Sequence, residues 1–102
     1  MTRSELLDKA NSLPLAPGVY LMKNARHEVI YVGKAKKLKN RVSQYFQSGS
    51  GHNTKTHVMV GQVDDFDTII VRSEFEALVL ENSLIKQHMP RYNILLKDGK
   101  GY

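Results

Sequence analysis

The 102-residue chain contains no cysteine, which excludes disulfides, thiol nucleophiles and cysteine-ligated zinc together and fits a reducing, cytoplasmic setting. It also lacks a long apolar run. No window approaches the roughly 18 apolar residues of a membrane span, and the opening MTRSELLDKANSLP has no apolar signal core, so no membrane partner is expected. A third absence is local: no acid stands between Glu28 and Asp64, whereas Lys34, Lys36, Lys37, Lys39, Arg41 and Lys55 all fall there. Six of the ten acids then crowd into residues 64–81. On a net charge of +5, this segregation favours a polyanionic partner over an evenly solvated surface. Internal repeats and linkers are absent too, so residues 1–102 read as one domain, long enough to bury over about 60% of its unfolded surface.

What is present reads as a mixed chain. Thr2 with Glu5 has capping-box spacing ahead of a short helix that ends before Pro14. Residues 18–23 and 28–33 alternate like half-buried strands joined by Asn24-Ala25-Arg26-His27, which predicts a hairpin. A basic helix follows from about Ala35, a small polar loop at 47–53, and a short helix over 54–63. FDTIIV at 66–71 is strand-like, Ser73-Glu74-Phe75-Glu76 opens a long helix that must end before Pro90, and Asn93 to Leu96 reads as a last strand. The expected class is α/β, or α+β-like, with a small, mainly antiparallel sheet flanked by helices.

Three constellations carry chemistry. A hairpin centred between Ala25 and Arg26 places Tyr20 opposite Tyr31, with Val19, Leu21, Ile30 and Val32 on one face and Tyr20, Met22, Val29 and Tyr31 on the other. On the basic helix Arg41 and Tyr45 lie about 40° apart at the margin of the stripe formed by Leu38, Val42 and Phe46. They form either a cation–π pair or a guanidinium fork for phosphate. Glu81 falls inside the apolar arc of the long helix, between Ala77 and Ile85, where a carboxylate is costly unless paired with an arginine, hydrogen-bonded or bound to a metal. The four histidines lack zinc-ligand spacing, and Asp64, Asp65 and Asp67 read as a solvated turn.

These pieces together resemble the GIY-YIG nuclease family. The two signatures read here as Gly18-Val19-Tyr20 and Tyr31-Val32-Gly33, followed by Lys34, by Arg41 and Tyr45 on a helix, by Glu81 on the long helix, and by Asn93. Val19 and Val32 stand where the family name has isoleucine. The resemblance implies the GIY-YIG endonuclease fold, here as the N-terminal piece of a longer chain. It also implies a metal-dependent phosphodiesterase that nicks damaged double-stranded DNA on the 3′ side of a lesion in nucleotide excision repair. A damage-recognition partner of the UvrB type would be reached through regions outside this piece. On that reading Glu81 holds one Mg²⁺ or Mn²⁺, Arg41 contacts the scissile phosphate, Tyr45 orients phosphate or base, Asn93 fixes local geometry, and Lys36, Lys37 and Lys39 bind DNA. Either Tyr20 or Tyr31 serves as general base, with Tyr31 preferred because it stands near Lys34. A phenol of pKa about 10 is only about 0.1% ionised at pH 7, a deficit of roughly 4 kcal/mol; neighbouring cations are expected to lower it. The alternatives are a non-catalytic DNA-binding module or another GIY-YIG endonuclease.

Overall fold

Side-chain caps set several of the element boundaries in the computed structural model, which describes residues 1–47 and 51–97. Helix α1 (Arg3–Asn11) opens on the expected capping box, with the Thr2 hydroxyl accepting from the Glu5 amide and the Glu5 carboxylate accepting from the Thr2 amide. Strands β1 (Gly18–Lys23) and β2 (Val29–Ala35) form the hairpin, and helix α2 (Leu38–Phe46) follows. Asn53 caps α3 (Thr54–Gln62), and Ser73 caps α4 (Glu74–His88), which stops at a left-handed Met89 (φ 46°) ahead of Pro90. Between these two helices runs β3 (Asp65–Ile70).

The three strands form one antiparallel sheet in the order β2-β1-β3, so β1 is central and β2 is an edge. One face packs Tyr20, Met22, Ile30 and Phe66 against α1, α2 and α3 through Leu6, Ala10, Leu38, Val42, Phe46 and Met59. The other face packs Val19, Leu21 and Val32 under Ala77, Leu80, Leu84 and Ile85 of α4. Among the described residues no helix is long and apolar enough to cross a membrane.

Three expectations need correction. The apolar run at 93–96 is not a strand: it lies in a short helix, α5 (Arg91–Lys97). Pro90 starts it, because a proline ring suits the start of a helix, where its missing N–H is not needed. The hairpin register also differs, since Tyr20 pairs with Gly33 and Tyr31 with Met22. Asn24 shifts the turn: its side-chain oxygen accepts from the amides of Arg26 (2.9 Å) and Glu28 (3.0 Å), and His27 adopts φ 64°. The pairing then jumps from Lys23↔Val29 to Met22↔Tyr31, leaving Ile30 as the extra residue of a β-bulge. Ile30 therefore joins the Tyr20 face and Val29 the Val32 face, the reverse of the simple alternation. Lastly, the apolar arc of α4 is narrower than its sequence suggests. Phe75 is 74% exposed, and Leu78, Val79 and Met89 are exposed as well, because a three-stranded sheet can cover only one side of that helix. Of the loop at 47–53, residues 48–50 lie outside the described residues.

Candidate active site

Gly33 opens the space in which the site assembles. A Cβ at this position would run into the ring carbons and hydroxyl of Tyr20, so only glycine lets the central-strand phenol lie across its neighbour on β2. Tyr20 is 1% exposed, and its hydroxyl shares a 2.7 Å hydrogen bond with that of Tyr45 from α2. The Tyr20 ring stands 5.7 Å from Tyr45 and 6.2 Å from Tyr31, both in tilted contact. All three tyrosines thus meet on one face, although Tyr20 and Tyr31 are not directly opposite one another.

Electrostatics here run against the expectation of acidified phenols. Burial comes first in raising Tyr20 well above the ordinary 10, with Tyr45 and Tyr31 acting in the same direction. Tyr31, half-buried, is also raised, first by burial, then by Tyr45 and by the negative charge of Glu81. Arg41 opposes the shift at both phenols without overcoming it. Arg41 is the cation that chiefly favours ionisation at both, rather than Lys34. Lys34 lies within β2 opposite Val19, and alternation turns it to the sheet face away from Tyr31.

Glu81 is half-buried on α4, one turn beyond Ala77, and among the described residues it has no ion pair. The arginine pairing left open by the sequence is therefore not made, and Arg41 itself is exposed rather than tucked into the core margin. No cluster of three or more acidic, histidine or cysteine side chains capable of holding a metal occurs among the described residues. A lone unpaired carboxylate nevertheless fits a hard divalent ion that retains several waters and takes a substrate phosphate as a further ligand. It would not fit a fully protein-ligated ion.

Asn93 acts on backbone. Its side-chain oxygen accepts from the Val32 amide at 2.7 Å and its nitrogen donates to the Val32 carbonyl at 2.8 Å, both buried. Because β2 is an edge strand, these two groups have no strand partner on that side, and the amide side chain replaces one.

The cations line an open groove of about 710 Å³ between α2 and the start of α4, bounded by Lys34, Lys36, Lys37, Arg41, Phe75 and Leu78. Lys36 makes only a long ion pair with Glu74 (3.8 Å) and is otherwise in solvent, and Lys39, half-buried, is not on this wall. Sequence reasoning missed one neighbour of the tyrosines and one buried polar side chain on α2. His52 stacks on Tyr45 at 5.6 Å, with Nε2 3.2 Å from the Tyr45 carbonyl oxygen, and Ser43 is buried on α2. Ligand spacing could not reveal His52, since its contact is to an aromatic ring and a carbonyl.

Hydroxyl-linked tyrosines on a small antiparallel sheet, an arginine on the following helix and a lone acid on the helix behind define an endonuclease domain of the GIY-YIG type. Residues 16–94 match the family described as the UvrC-like GIY-YIG domain, and the chain belongs to that family. Its relatives include UvrABC system protein C of Clostridium tetani, 63% identical over 90 residues and covering 88% of this chain but 14% of the relative. The corresponding protein of Gloeobacter violaceus is 54% identical over 97 residues, covering 95% and 15%. The chain thus spans about one-seventh of the length of these relatives. Among solved structures, the N-terminal GIY-YIG endonuclease domain of UvrC from Thermotoga maritima, bound to magnesium as its catalytic divalent cation, is 37% identical with a TM-score of 0.78. That comparison covers 90% of this chain and 98% of the other.

Proposed function

We propose that this domain is a divalent-metal-dependent DNA endonuclease that nicks the phosphodiester backbone on the 3′ side of a lesion during nucleotide excision repair. Damaged double-stranded DNA would be delivered by a damage-recognition protein of the UvrB type acting through other parts of a longer protein. The observation that carries this reading is the half-buried, unpaired Glu81 whose charge reaches Tyr31, beside a groove rich in cations.

Glu81 would hold one Mg²⁺ or Mn²⁺. When bound, the ion supplies positive charge for the scissile phosphate and cancels the opposition of Glu81 to ionisation of Tyr31. The remaining work belongs to this chain's own groups. Arg41 presents a planar, permanently charged fork at the groove edge, suited to the phosphate. Tyr31, more open than Tyr20, is the hydroxyl placed to accept a proton from an attacking water once Arg41 and the neutralised acid favour phenolate. Tyr20 is the fixed partner: fully buried, it holds the Tyr45 hydroxyl in place at 2.7 Å. Asn93 pins the strand that carries Tyr31. Lys34 at the end of β2 and Lys36 and Lys37 in the turn before α2 hold the flanking backbone electrostatically, while Lys39, half-buried in the first turn of α2, lies off this wall.

The test is nicking of a lesion-containing duplex by the full-length protein with its loading partner and Mg²⁺. Glu81→Gln keeps shape and removes charge, and is expected to lower the 3′ nick by at least about a hundredfold while leaving folding and DNA loading intact. An undiminished nick would make Glu81 structural and favour a non-catalytic DNA-binding module.

A further inference from the structure

The exposed apolar strip on α4 is not explained by the nuclease chemistry. Phe75 is 74% exposed, Leu78 one turn later 40%, and Val79 51%. Isolated exposed apolar side chains are ordinary, but Phe75 and Leu78 face Lys34, Lys36, Lys37 and Arg41 across one groove in which Glu74 is the sole acid among the described residues. The groove lining includes Arg41 and Ala77, the latter one helical turn before Glu81, so the groove adjoins the site. Cations alone would serve a paired duplex, whose bases are stacked on one another and present only phosphates to a groove of this kind. An exposed aromatic face beside a cationic wall suits a nucleotide whose base has left the stack.

Building on the endonuclease reading above, we propose that the Phe75–Leu78 strip is a stacking platform for one unpaired nucleobase of the DNA substrate. The phosphates of that strand lie against Lys34, Lys36, Lys37 and Arg41. The domain would thereby favour strands already opened near the scissile bond, and Phe75 would be a specificity residue outside the catalytic tyrosine cluster.

The test compares two DNA probes on this chain. One is a fully paired duplex, and the other is the same duplex with a short bubble holding 2-aminopurine at an unpaired position. Anisotropy gives affinity, and 2-aminopurine quenching reports stacking without interference, since the protein has no tryptophan. Wild type is expected to bind the bubble more tightly and to quench the probe. Phe75→Ala should weaken bubble binding by roughly tenfold, abolish quenching and leave duplex binding and its salt dependence unchanged, whereas Phe75→Tyr should restore both signals. Because the side chain is exposed, thermal melting should match wild type. The proposal is overturned if Phe75→Ala binds and quenches like wild type, or weakens both DNAs equally, the result expected if a protein partner or a second copy uses the strip. A wild-type chain that binds neither DNA would overturn the DNA reading itself, a result distinct from a failure confined to Phe75.

Discussion

Asn93 offers the sharpest quantitative test of how the site is held. Asn93→Ala removes a donor and an acceptor at once, leaving the buried Val32 amide and carbonyl without partners on the open side of β2. Each such group costs about 1–3 kcal/mol, or about 2–6 kcal/mol together. That is a large share of the roughly 5–15 kcal/mol stability of a domain. At about 4–8 °C per kcal/mol for a chain near this size, melting should fall by at least about 8 °C. Asn93→Asp separates the two bonds. One carboxylate oxygen can still accept from the Val32 amide, but the other would face the Val32 carbonyl, now 2.8 Å from the native amide nitrogen. Protonation would restore a donor, so the fold raises the pKa of this carboxyl above its unfolded value. Its stabilising contribution is then fully present below the unfolded carboxyl pKa of about 3.9 and is lost as pH rises through the higher folded value. Circular dichroism melts from pH 4 to 7, with amide exchange at Val32, read both effects. A melt of Asn93→Ala within about 3 °C of wild type, or an Asn93→Asp deficit that does not grow with pH, would refute the clamp.

The remaining expectations concern packing and titration. Gly33→Ala forces Tyr20 aside and should cost about 1–3 kcal/mol, with loss of nicking; Gly61→Ala in α3, where an added Cβ meets nothing within 4 Å, should stabilise by up to about 1 kcal/mol. Both are read from melting curves. Tyr20 and Tyr31 are raised by burial and then by their neighbours, so in the cation-free protein neither ring should show phenolate NMR shifts by pH 10. Unfolded tyrosines release their protons near pH 10 and the folded ones do not, so stability should decline as pH climbs above about 10. A Tyr31 phenolate signal at pH 8 without cation would contradict this. At Asp65, burial opposes ionisation, but hydrogen bonds from Lys9 and the Phe66 amide and the charges of Lys9 and Lys23 outweigh it, leaving the carboxyl below its usual range. That contribution is present above the unfolded pKa and disappears as pH falls through the folded one, so Asp65→Asn should destabilise less at pH 3 than at pH 6. The Lys9–Asp65 pair is 37% and 40% exposed, which keeps the whole effect below about 1 kcal/mol; chemical denaturation at the two pH values checks it.

Local chemistry made much of this fold legible. The caps at Thr2 and Ser73 and the stop before Pro90 are short-range signals, and they mark where α1 and α4 begin or end. The register of the hairpin was not legible, because it depends on which amides Asn24 captures and on a bulge at Ile30 that strict alternation hides. Residues 93–96 read as a strand since a four-residue apolar run has no period long enough to distinguish the two states. At the site, the residue identities could be read but not the balance of their interactions. Proximity of tyrosine to lysine in sequence suggested acidified phenols, whereas burial and alternation across β2 decide otherwise. The exposed side of α4 was hidden for a related reason: periodicity counts apolar residues but not how much sheet is available to cover them.

The bond between Asn93 and Val32 also dictates when the site can exist. Its two residues are 61 apart in sequence, so a ribosome adding about 5–20 residues per second finishes β2 roughly 3–12 s before it adds the side chain that secures it. During that interval the hairpin bearing Tyr20, Tyr31 and Gly33 has an unsecured edge, and α4, which brings Glu81, is itself still being made. The proposed nuclease centre is thus complete only when α5 docks, so a nascent chain stalled before residue 93 carries all three tyrosines without the clamp on β2.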